Sequence, residues 1–311
     1  MQEKYKTFSD LGLKDDLVKA YNSLNYFIPS PIQEKAIPLG LQGADLISQS
    51  KAGTGKTLAF LGILFSRLAF TEQTTQAIIV LPTRELAFQI FDMLRRIAKK
   101  LPGPAVCESA CFIGGIPIDN DRTRLQNGVV HVVVGTPGRL KALIKEKVLV
   151  LDHIKLLVLD EADKLLDAAG FGDDVYNLMT RLKGKCQFLA FSATIEEKIL
   201  EKLKATMQNP SIVFLSKEEM SATEKMIPQQ KDTNTMEEEK VDLNITNLRQ
   251  YYVRVESGAK GINLAKNLKV IEILKNVNYD QAIIFYNDKA LGEDLASDLR
   301  YYYFVFLSAN S

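Results

Sequence analysis

The chain has 311 residues, and its 39 lysine and arginine residues almost balance its 38 aspartate and glutamate residues, giving a net charge of +1. Binding of nucleic acid through a uniformly basic surface is therefore excluded, and any site for a polyanion must be local. The hydrophobic fraction of 46% suits a folded protein of the α/β class with one large domain or two medium ones.

The cysteines and the N-terminal segment bear on the cellular compartment. The three cysteines make an odd number and show no metal-ligand spacing with the two histidines, so we predict free thiols in a reducing compartment. Residues 1–6 lack the apolar core of a signal peptide, and no stretch approaches the roughly 20 apolar residues that span a membrane. We expect a soluble protein of the cytoplasm, the nucleus or both, with no membrane partner.

Apolar runs alternate with amphipathic stretches between about residues 45 and 215, a pattern typical of a parallel sheet with crossover helices. Helical spacing is clear where Leu86, Ile90 and Leu94 recur at intervals of four residues. The predicted strands cover residues 46–48, 77–81, 129–134, 156–159, 187–191 and 212–215.

The composition changes after residue 216 and divides the chain further. Residues 1–37 and 38–216 are assigned to an N-terminal region and a large α/β domain, and residues 217–247 to a charged linker or disordered insertion. Residues 248–311 then hold about two βα repeats, too few for a core of the usual domain size, so they predict a partial second domain. Its predicted strands are 251–255 and 281–286, and its predicted helices include 268–274 and 289–299.

A glycine-rich loop follows the first predicted strand and precedes a helix, where a phosphate-binding loop must lie. Glycines let backbone N–H groups approach phosphates, Lys56 can reach the outer phosphates, and Thr57 can bind Mg²⁺. The alternative is a glycine-rich turn without function. The candidate nucleotide-binding residues of the loop are Ser50, Lys51, Ala52, Gly53, Thr54, Gly55, Lys56 and Thr57.

Three carboxylates follow the buried strand 156–159, and taken alone they are either a metal and water site or a solvated acidic loop. Beside a phosphate loop, Asp160 can hold Mg²⁺ and Glu161 can orient and deprotonate an attacking water. In an open parallel sheet the ligand site lies at the carboxyl ends of the strands, where both segments are predicted to lie. Asp160, Glu161 and Lys56 are therefore the candidate catalytic residues of a nucleoside triphosphate hydrolase.

With these motifs in place, the sequence resembles the DEAD-box ATP-dependent RNA helicases over about residues 8–287. The match runs through Asp160-Glu161-Ala162-Asp163 and several other segments in the order of that family. The resemblance implies a RecA-like P-loop domain, with a parallel sheet flanked by helices, followed by an incomplete second RecA-like domain. The other matching segments are residues 26–33, 82–86, 114–115, 136–139, 192–194 and 283–287.

The segment 26–33 resembles the adenine-reading motif of the family, which implies ATP as the nucleotide. The amide of Gln33 can match the N6 and N7 edge of adenine, and Tyr26 or Phe8 can stack on its ring. The alternative for both aromatic residues is packing inside the core.

Further segments resemble the RNA-contacting segments of the family, whose residue types suit phosphate and sugar rather than base edges. For the two arginines, surface ion pairs are the alternative. The candidate RNA-binding residues are Pro82, Thr83, Arg84, Gly114, Gly115, Thr136, Pro137, Gly138 and Arg139. In the family, the counterparts of Ser192 and Thr194 bond the counterpart of Asp163, which implies a link between nucleotide and RNA.

The sequence therefore predicts an ATP- and Mg²⁺-dependent RNA helicase that unwinds short duplexes or remodels ribonucleoproteins. Because the chain ends before the family's arginine-finger motifs, a weakly catalytic adaptor that binds ATP and RNA is the alternative, and a P-loop ATPase unrelated to RNA is a second one. Segments 112–117, 163–166 and 249–252 are similar to the DEAD-box subunit of the survival motor neuron complex, which implies ribonucleoprotein-assembly proteins as partners.

Overall fold

The computed structural model describes residues 7–102, 107–167, 170–215, 251–256, 261–286 and 288–301. The chain divides into two compact units, Met1–Thr235 and Met236–Ser311. The predicted linker 217–247 lies outside the described residues.

The first unit is built on a sheet of seven parallel strands in the order β3-β4-β2-β5-β6-β1-β7. Most of the strands are short apolar runs buried on both faces, as expected of a sheet covered by crossover helices. The strands are β1 (Leu46–Gln49), β2 (Ala77–Val80), β3 (Ser109–Phe112), β4 (Val132–Gly135), β5 (Leu156–Asp160), β6 (Gln187–Ser192) and β7 (Ser211–Phe214).

Helices cover both faces of this sheet. Side chains alternate along each strand, so that Ile79 joins one apolar cluster and Ile78 the other. The first cluster includes residues of α1 (Asp15–Ser23), α2 (Pro31–Leu41), α3 (Lys56–Arg67) and α4 (Arg84–Ala98). The second includes residues of α6 (Pro137–Lys145), α7 (Ala162–Leu166), α8 (Gly172–Leu182) and α9 (Glu197–Thr206), with α5 (Ile118–Gln126) packed at its margin.

The six strands predicted for this unit are confirmed, with ends shifted by up to three residues, but the sequence did not predict β3. This strand lies at the edge of the sheet, and its side chains alternate between buried and half-buried positions. Its segment therefore lacks the continuous apolar run by which the central strands were recognised.

In the second unit, the two predicted helices are confirmed within α10 (Ile262–Asn276) and α11 (Lys289–Tyr301). The two predicted strands are wrong, because residues 251–256 and 281–286 form no regular strand. Tyr252 is 96% exposed and Phe285 is 89% exposed, so neither side chain is covered as it would be in a strand of a packed sheet. Among the described residues of this unit, Ile271, Leu295 and Leu299 form a buried cluster.

Cys107, Cys111 and Cys186 are free thiols whose pKa is raised to about 12 by burial. Within the described ranges, no three acidic, histidine or cysteine side chains form a cluster that could hold a metal ion by themselves. In the same ranges, none of the helices is long and apolar enough to cross a membrane.

Candidate functional site

The polar segments singled out in the sequence lie at the carboxyl ends of their strands in two groups. The neighbouring strands β1, β5 and β6 carry residues 50–57, 160–163 and 192–194, which we call the β1 half. The neighbouring strands β3, β4 and β2 carry residues 114–115, 136–139 and 82–84, which we call the β3 half. Because β2 pairs with β5, the two halves adjoin at the middle of the sheet.

The loop between β1 and α3 is held by its own hydrogen bonds. The Ser50 hydroxyl lies 2.8 Å from that of Thr54, which donates to the Lys51 carbonyl at 2.9 Å. Gly53 and Gly55 have φ angles of +78° and +96°, which glycine adopts without strain. Ala52 is exposed beside Gly53, so the tip of the loop is accessible to a ligand.

Lys56 turns its amine back onto this loop. Its Nζ donates to the carbonyl oxygens of Ser50 and Lys51 at 2.6 and 3.1 Å. Burial lowers the pKa of Lys56, while the charges of Asp160 and its acidic neighbours oppose that shift. The amine is therefore a partly desolvated cation that can exchange carbonyl partners for phosphate oxygens.

Gln33 lies against the same loop and is 3% exposed. Its Nε2 donates to the Gly55 carbonyl at 2.9 Å, and its Oε1 accepts from the Ser30 backbone N–H at 2.8 Å. The side chain thus ties the start of α2 to the start of α3. An amide keeps one further hydrogen and one further lone pair beyond these two bonds, so a contact with adenine stays a prediction.

The aromatic residues predicted to stack on adenine are placed differently from one another. Phe8 is 1% exposed and packs edge-on against Tyr21 with ring centroids 5.0 Å apart. The expectation that Phe8 stacks on a ligand is therefore corrected, because a core ring offers no free face. Tyr26 is half-buried, with its hydroxyl 3.9 Å from the sulfur of Met93, and the adjacent Phe27 is 57% exposed.

Asp160 ends β5 and is 8% exposed. Burial raises its pKa to about 6, although the charge of Lys56 acts in the opposite direction. Glu161 has a left-handed φ of +56°, and its carboxylate accepts from the Lys164 amine at 2.7 Å. At neutral pH Asp160 is largely ionised. A bound cation would offset the solvation that its carboxylate loses by burial.

Asp163 connects the acidic segment to β6. Its Oδ2 accepts from the Thr194 hydroxyl at 2.7 Å, and its backbone N–H donates to the Ser192 hydroxyl at 3.4 Å. Ser192 donates in turn to the Thr194 carbonyl at 2.6 Å. Burial acts to raise the pKa of Asp163, but the bond from Thr194 and its neighbours outweigh it and hold the pKa below the usual value. The three predicted coupling residues are therefore in contact.

In the β3 half, Thr83 caps α4 by accepting from the Leu86 N–H at 3.3 Å. Arg84 is exposed, and its guanidinium lies against Gly115, whose φ is +88°. A Cβ atom at Gly115 would stand 2.4 Å from Nη1 of Arg84, so only glycine lets the arginine lie there. An exposed guanidinium at this position is available to an anionic ligand.

Arg139 is placed differently from the prediction. It is 8% exposed, its Nη1 lies 3.2 Å from Oδ2 of Asp121, and its Nη2 donates to the Ile116 carbonyl. A direct contact of this guanidinium with RNA is therefore corrected, because the group is buried and engaged inside the protein. It holds the loop after β3 against the helix after β4.

The remaining predicted residues of the β3 half surround the start of α6. Gly138 is exposed with open space where a Cβ would lie, whereas Thr136 is 8% exposed and Pro137 is buried. Pro82 is half-buried before α4 and Gly114 is half-buried after β3. The first turns of α4 and α6 present backbone N–H groups without helical partners, and such groups favour anions.

This arrangement of strands and segments matches a known family. A sequence model of the DEAD/DEAH box helicases matches residues 30–203, which is more than half of the chain. The chain belongs to the DEAD/DEAH box helicase family. Its first unit accordingly has the RecA-like α/β fold.

Several individual helicases are similar to this chain. The "Probable ATP-dependent RNA helicase DDX20" of Mus musculus is 35% identical over 294 residues, which are 94% of this chain and 32% of that protein. The "Probable eukaryotic initiation factor 4A" of Trypanosoma cruzi is 31% identical over 94% of this chain and 65% of its own length. The chain thus spans between about one third and two thirds of these relatives.

Solved structures of the family agree with the fold. The structure of S. cerevisiae Dbp5 bound to RNA and ADP BeF3 superposes with a TM-score of 0.75 at 28% identity. The match covers 96% of this chain and 67% of the Dbp5 chain. A DEAD box protein from Methanococcus jannaschii superposes with a TM-score of 0.63 and 28% identity over 96% of this chain and 71% of that one.

The residues of this chain fit a magnesium nucleotide. Asp160 supplies a buried carboxylate and Thr57 a half-buried hydroxyl in the first turn of α3, and both are the oxygen ligands that Mg²⁺ prefers. Protein sites for Mg²⁺ with nucleotides commonly use one or two side chains and take their other ligands from phosphates and water. A three-residue metal cluster is not required for this fit.

Sequence reasoning missed Asp121 and the pairing of Glu161 with Lys164. Asp121 is buried in α5, although its helical neighbour Asp119 has a side chain that is 78% exposed. The segment is mostly polar, so its periodicity does not distinguish an inward acid from an outward one. The spacing of Glu161 and Lys164 at three residues on a short helix was the one available signal for that pair.

Proposed function

We propose that this chain binds ATP with Mg²⁺ in the β1 half and single-stranded RNA in the β3 half, and that it acts in ATP-dependent remodelling of RNA. The observation that carries the proposal is the Lys56 amine, which the Ser50 and Lys51 carbonyls hold against the glycine-rich loop. Burial lowers the pKa of this amine, and the charges of Asp160, Asp163 and Glu161 oppose that shift. Phosphates would contact the lysine and the helix N-terminus while Asp160 binds the cation.

The proposed roles follow from the positions of the side chains. Thr57 and Asp160 would hold Mg²⁺, and the bound cation would neutralise charge on the phosphates. Lys56 would release its two carbonyl partners to bind phosphate oxygens. Glu161 would orient the attacking water and accept its proton, for which its carboxylate must be free of the Lys164 amine.

RNA is proposed to bind along the β3 half through its phosphates and sugars. Arg84, Gly115 and the exposed first turn at Gly138 support this role, because they offer a guanidinium and accessible backbone groups without any pattern for reading bases. Proteins of ribonucleoprotein assembly are proposed as further partners, on the resemblance of segment 112–117 and two others to a helicase of such an assembly.

The nucleotide proposal is tested by measuring binding of ATP with Mg²⁺ and RNA-stimulated release of phosphate. Glu161→Gln should keep ATP affinity and lower the hydrolysis rate by about 100-fold or more, since it removes the general base. Glu197→Gln, at the exposed start of α9, is the matched control. Failure of the wild-type protein to bind ATP with Mg²⁺ contradicts the proposal, whereas binding without hydrolysis supports the adaptor.

The RNA proposal is tested with a fluorescently labelled single-stranded RNA in the presence of an ATP analogue. Arg84→Ala should weaken RNA binding by about tenfold and reduce its salt dependence, because one phosphate contact is lost. Arg96→Ala, an exposed arginine on the same helix, should change neither quantity. Unchanged RNA affinity in Arg84→Ala, or no RNA binding by the wild type, would favour a P-loop ATPase that is unrelated to RNA.

A further inference from the structure

A buried ion pair lies behind the β3 half. The side chains of Asp121 and Arg139 are 6% and 7% exposed, and the two charged atoms stand 3.2 Å apart. Burial raises the pKa of Asp121, and the charge of Arg139 opposes that shift. Buried ion pairs contribute little to stability compared with apolar residues of the same size, so the presence of this one calls for another explanation.

The pair joins two segments that carry proposed RNA contacts. Asp121 belongs to α5, which begins three residues after Gly115, and Arg139 belongs to the first turn of α6. Arg139 also donates a hydrogen bond to the Ile116 carbonyl. The guanidinium of Arg139 therefore connects the helix that follows β4 with both α5 and the loop that follows β3.

The contacts of Arg139 with the loop after β3 also bear on the exposed residue Arg84. Gly115 is the residue before Ile116, and the Arg84 guanidinium lies directly against it. Gly115 has a φ of +88° and is joined directly to Ile116, whose carbonyl Arg139 anchors. Movement of the Ile116 carbonyl would displace the surface on which Arg84 lies.

We propose that Asp121 is a positioning residue for RNA binding, which acts through Arg139 to set the Gly115 loop and the start of α6. It touches no RNA itself. The proposal rests on the proposed function, namely that the β3 half binds RNA. An apolar pair could pack α5 against α6 equally well, but it could not hold the Ile116 carbonyl, which needs a donor.

The test uses the full 311-residue chain and compares RNA affinity with ATP affinity. Asp121→Asn keeps the size of the side chain and removes the charge that orients Arg139. RNA binding, measured by fluorescence anisotropy with an ATP analogue and Mg²⁺, should weaken about tenfold, which is about 1.4 kcal/mol. Affinity for the ATP analogue alone should stay within about twofold of wild type, because the β1 half has no contact with the pair.

Two variants separate positioning from general stability. Asp119→Asn removes the exposed acid on the same helix, which pairs with Arg122, and should leave RNA affinity unchanged. Asp121→Glu restores the charge and should recover part of the RNA affinity that Asp121→Asn loses. Circular dichroism and thermal unfolding establish that each variant is folded at the assay temperature, and Arg139→Lys against wild type provides the comparison if Asp121→Asn does not fold.

The outcomes are distinct. Loss of RNA affinity with ATP affinity kept, and partial recovery in Asp121→Glu, supports the positioning role. RNA affinity within about twofold of wild type in folded Asp121→Asn overturns it, as does a parallel loss of ATP affinity, which would show a general structural effect. If Asp121→Asn does not fold, Arg139→Lys takes its place, because a lysine amine keeps the charge but cannot reach both Asp121 and the Ile116 carbonyl as the guanidinium does. A selective loss of RNA affinity in folded Arg139→Lys supports the positioning role, and RNA affinity within about twofold of wild type overturns it. If the wild-type chain binds no RNA, the proposed function fails first and this role fails with it.

Discussion

The hydroxyl of Thr194 donates a 2.7 Å hydrogen bond to Oδ2 of Asp163 and so joins the ends of β6 and β5. Asp163 lies three residues after Asp160, the proposed Mg²⁺ ligand, and β5 pairs with β2 of the β3 half. The bond therefore lies within the β1 half, at the end of the strand that adjoins the β3 half. A change of occupancy in one half can reach the other through this contact, provided that the bond differs between the bound states.

We predict that Thr194→Val reduces the coupling between nucleotide and RNA, because valine has nearly the same shape and no hydroxyl. The measurement is RNA affinity with and without an ATP analogue and Mg²⁺. The ratio of the two affinities, typically between about 5- and 150-fold in coupled systems, should move towards one. Thr180→Val is the control, since that hydroxyl bonds only within α8 to the Tyr176 carbonyl. An unchanged ratio of the two RNA affinities in Thr194→Val would show that this bond does not contribute to the coupling.

Gly55 and Gly53 should differ in their tolerance of alanine. Both have positive φ angles, so each substitution should cost about 1–2 kcal/mol in free energy of unfolding. A Cβ at Gly55 would also stand 2.4 Å from Nε2 of Gln33, whereas nothing lies within 4 Å of a Cβ at Gly53. Chemical denaturation should show Gly55→Ala to be the more destabilising of the two. In a Gln33→Ala background the difference should shrink, and an equal cost in both backgrounds would contradict the contact.

Phe8→Leu should affect stability and not nucleotide affinity. Phe8 is in the core against Tyr21, so we expect a loss of about 1–2 kcal/mol in free energy of unfolding from imperfect repacking. ATP affinity, measured by titration of folded protein, should remain within about twofold of wild type. A matched Phe27→Leu variant alters an exposed ring instead. A large loss of ATP affinity in Phe8→Leu with unchanged stability would restore the stacking role.

His131 should make the stability of the protein fall in mild acid. Its ring is 3% exposed, Nδ1 accepts from the Glu108 N–H at 3.0 Å, and burial lowers its pKa. A lowered pKa means that the unfolded chain binds more protons, so stability is complete above the unfolded pKa of about 6.5 and is lost as pH falls through the folded pKa.

The measurement is the free energy of unfolding by urea between pH 8 and pH 5. His131→Asn should flatten the decline below about pH 6.5, because the titrating ring is absent. His153→Asn removes the exposed second histidine and should keep the wild-type slope. Equal slopes in all three proteins would contradict a neutral buried His131.

The sequence was sufficient wherever a local pattern carried the signal. The central strands are continuous apolar runs, and the segments around Lys56 and Asp160 have spacings that their chemistry requires, so both were predicted at the correct places. The edge strand β3 was missed, because its side chains alternate between buried and half-buried positions. The strand predicted at residues 281–286 was wrong, because strand formation depends on pairing partners that sequence periodicity does not reveal.

By itself, then, the sequence determined the α/β class, the phosphate loop, the acidic segment and the family resemblance. All of these depend on residues that are close together in the chain. Only the tertiary structure decided the strand order, which groups β5 and β6 with β1 and places β3, β4 and β2 together on the other side of β5. It also decided that Phe8 and Arg139 are buried while Arg84 is exposed, and it paired Arg139 with Asp121. Burial and partners depend on packing between segments far apart in the chain, and no local spacing specifies them.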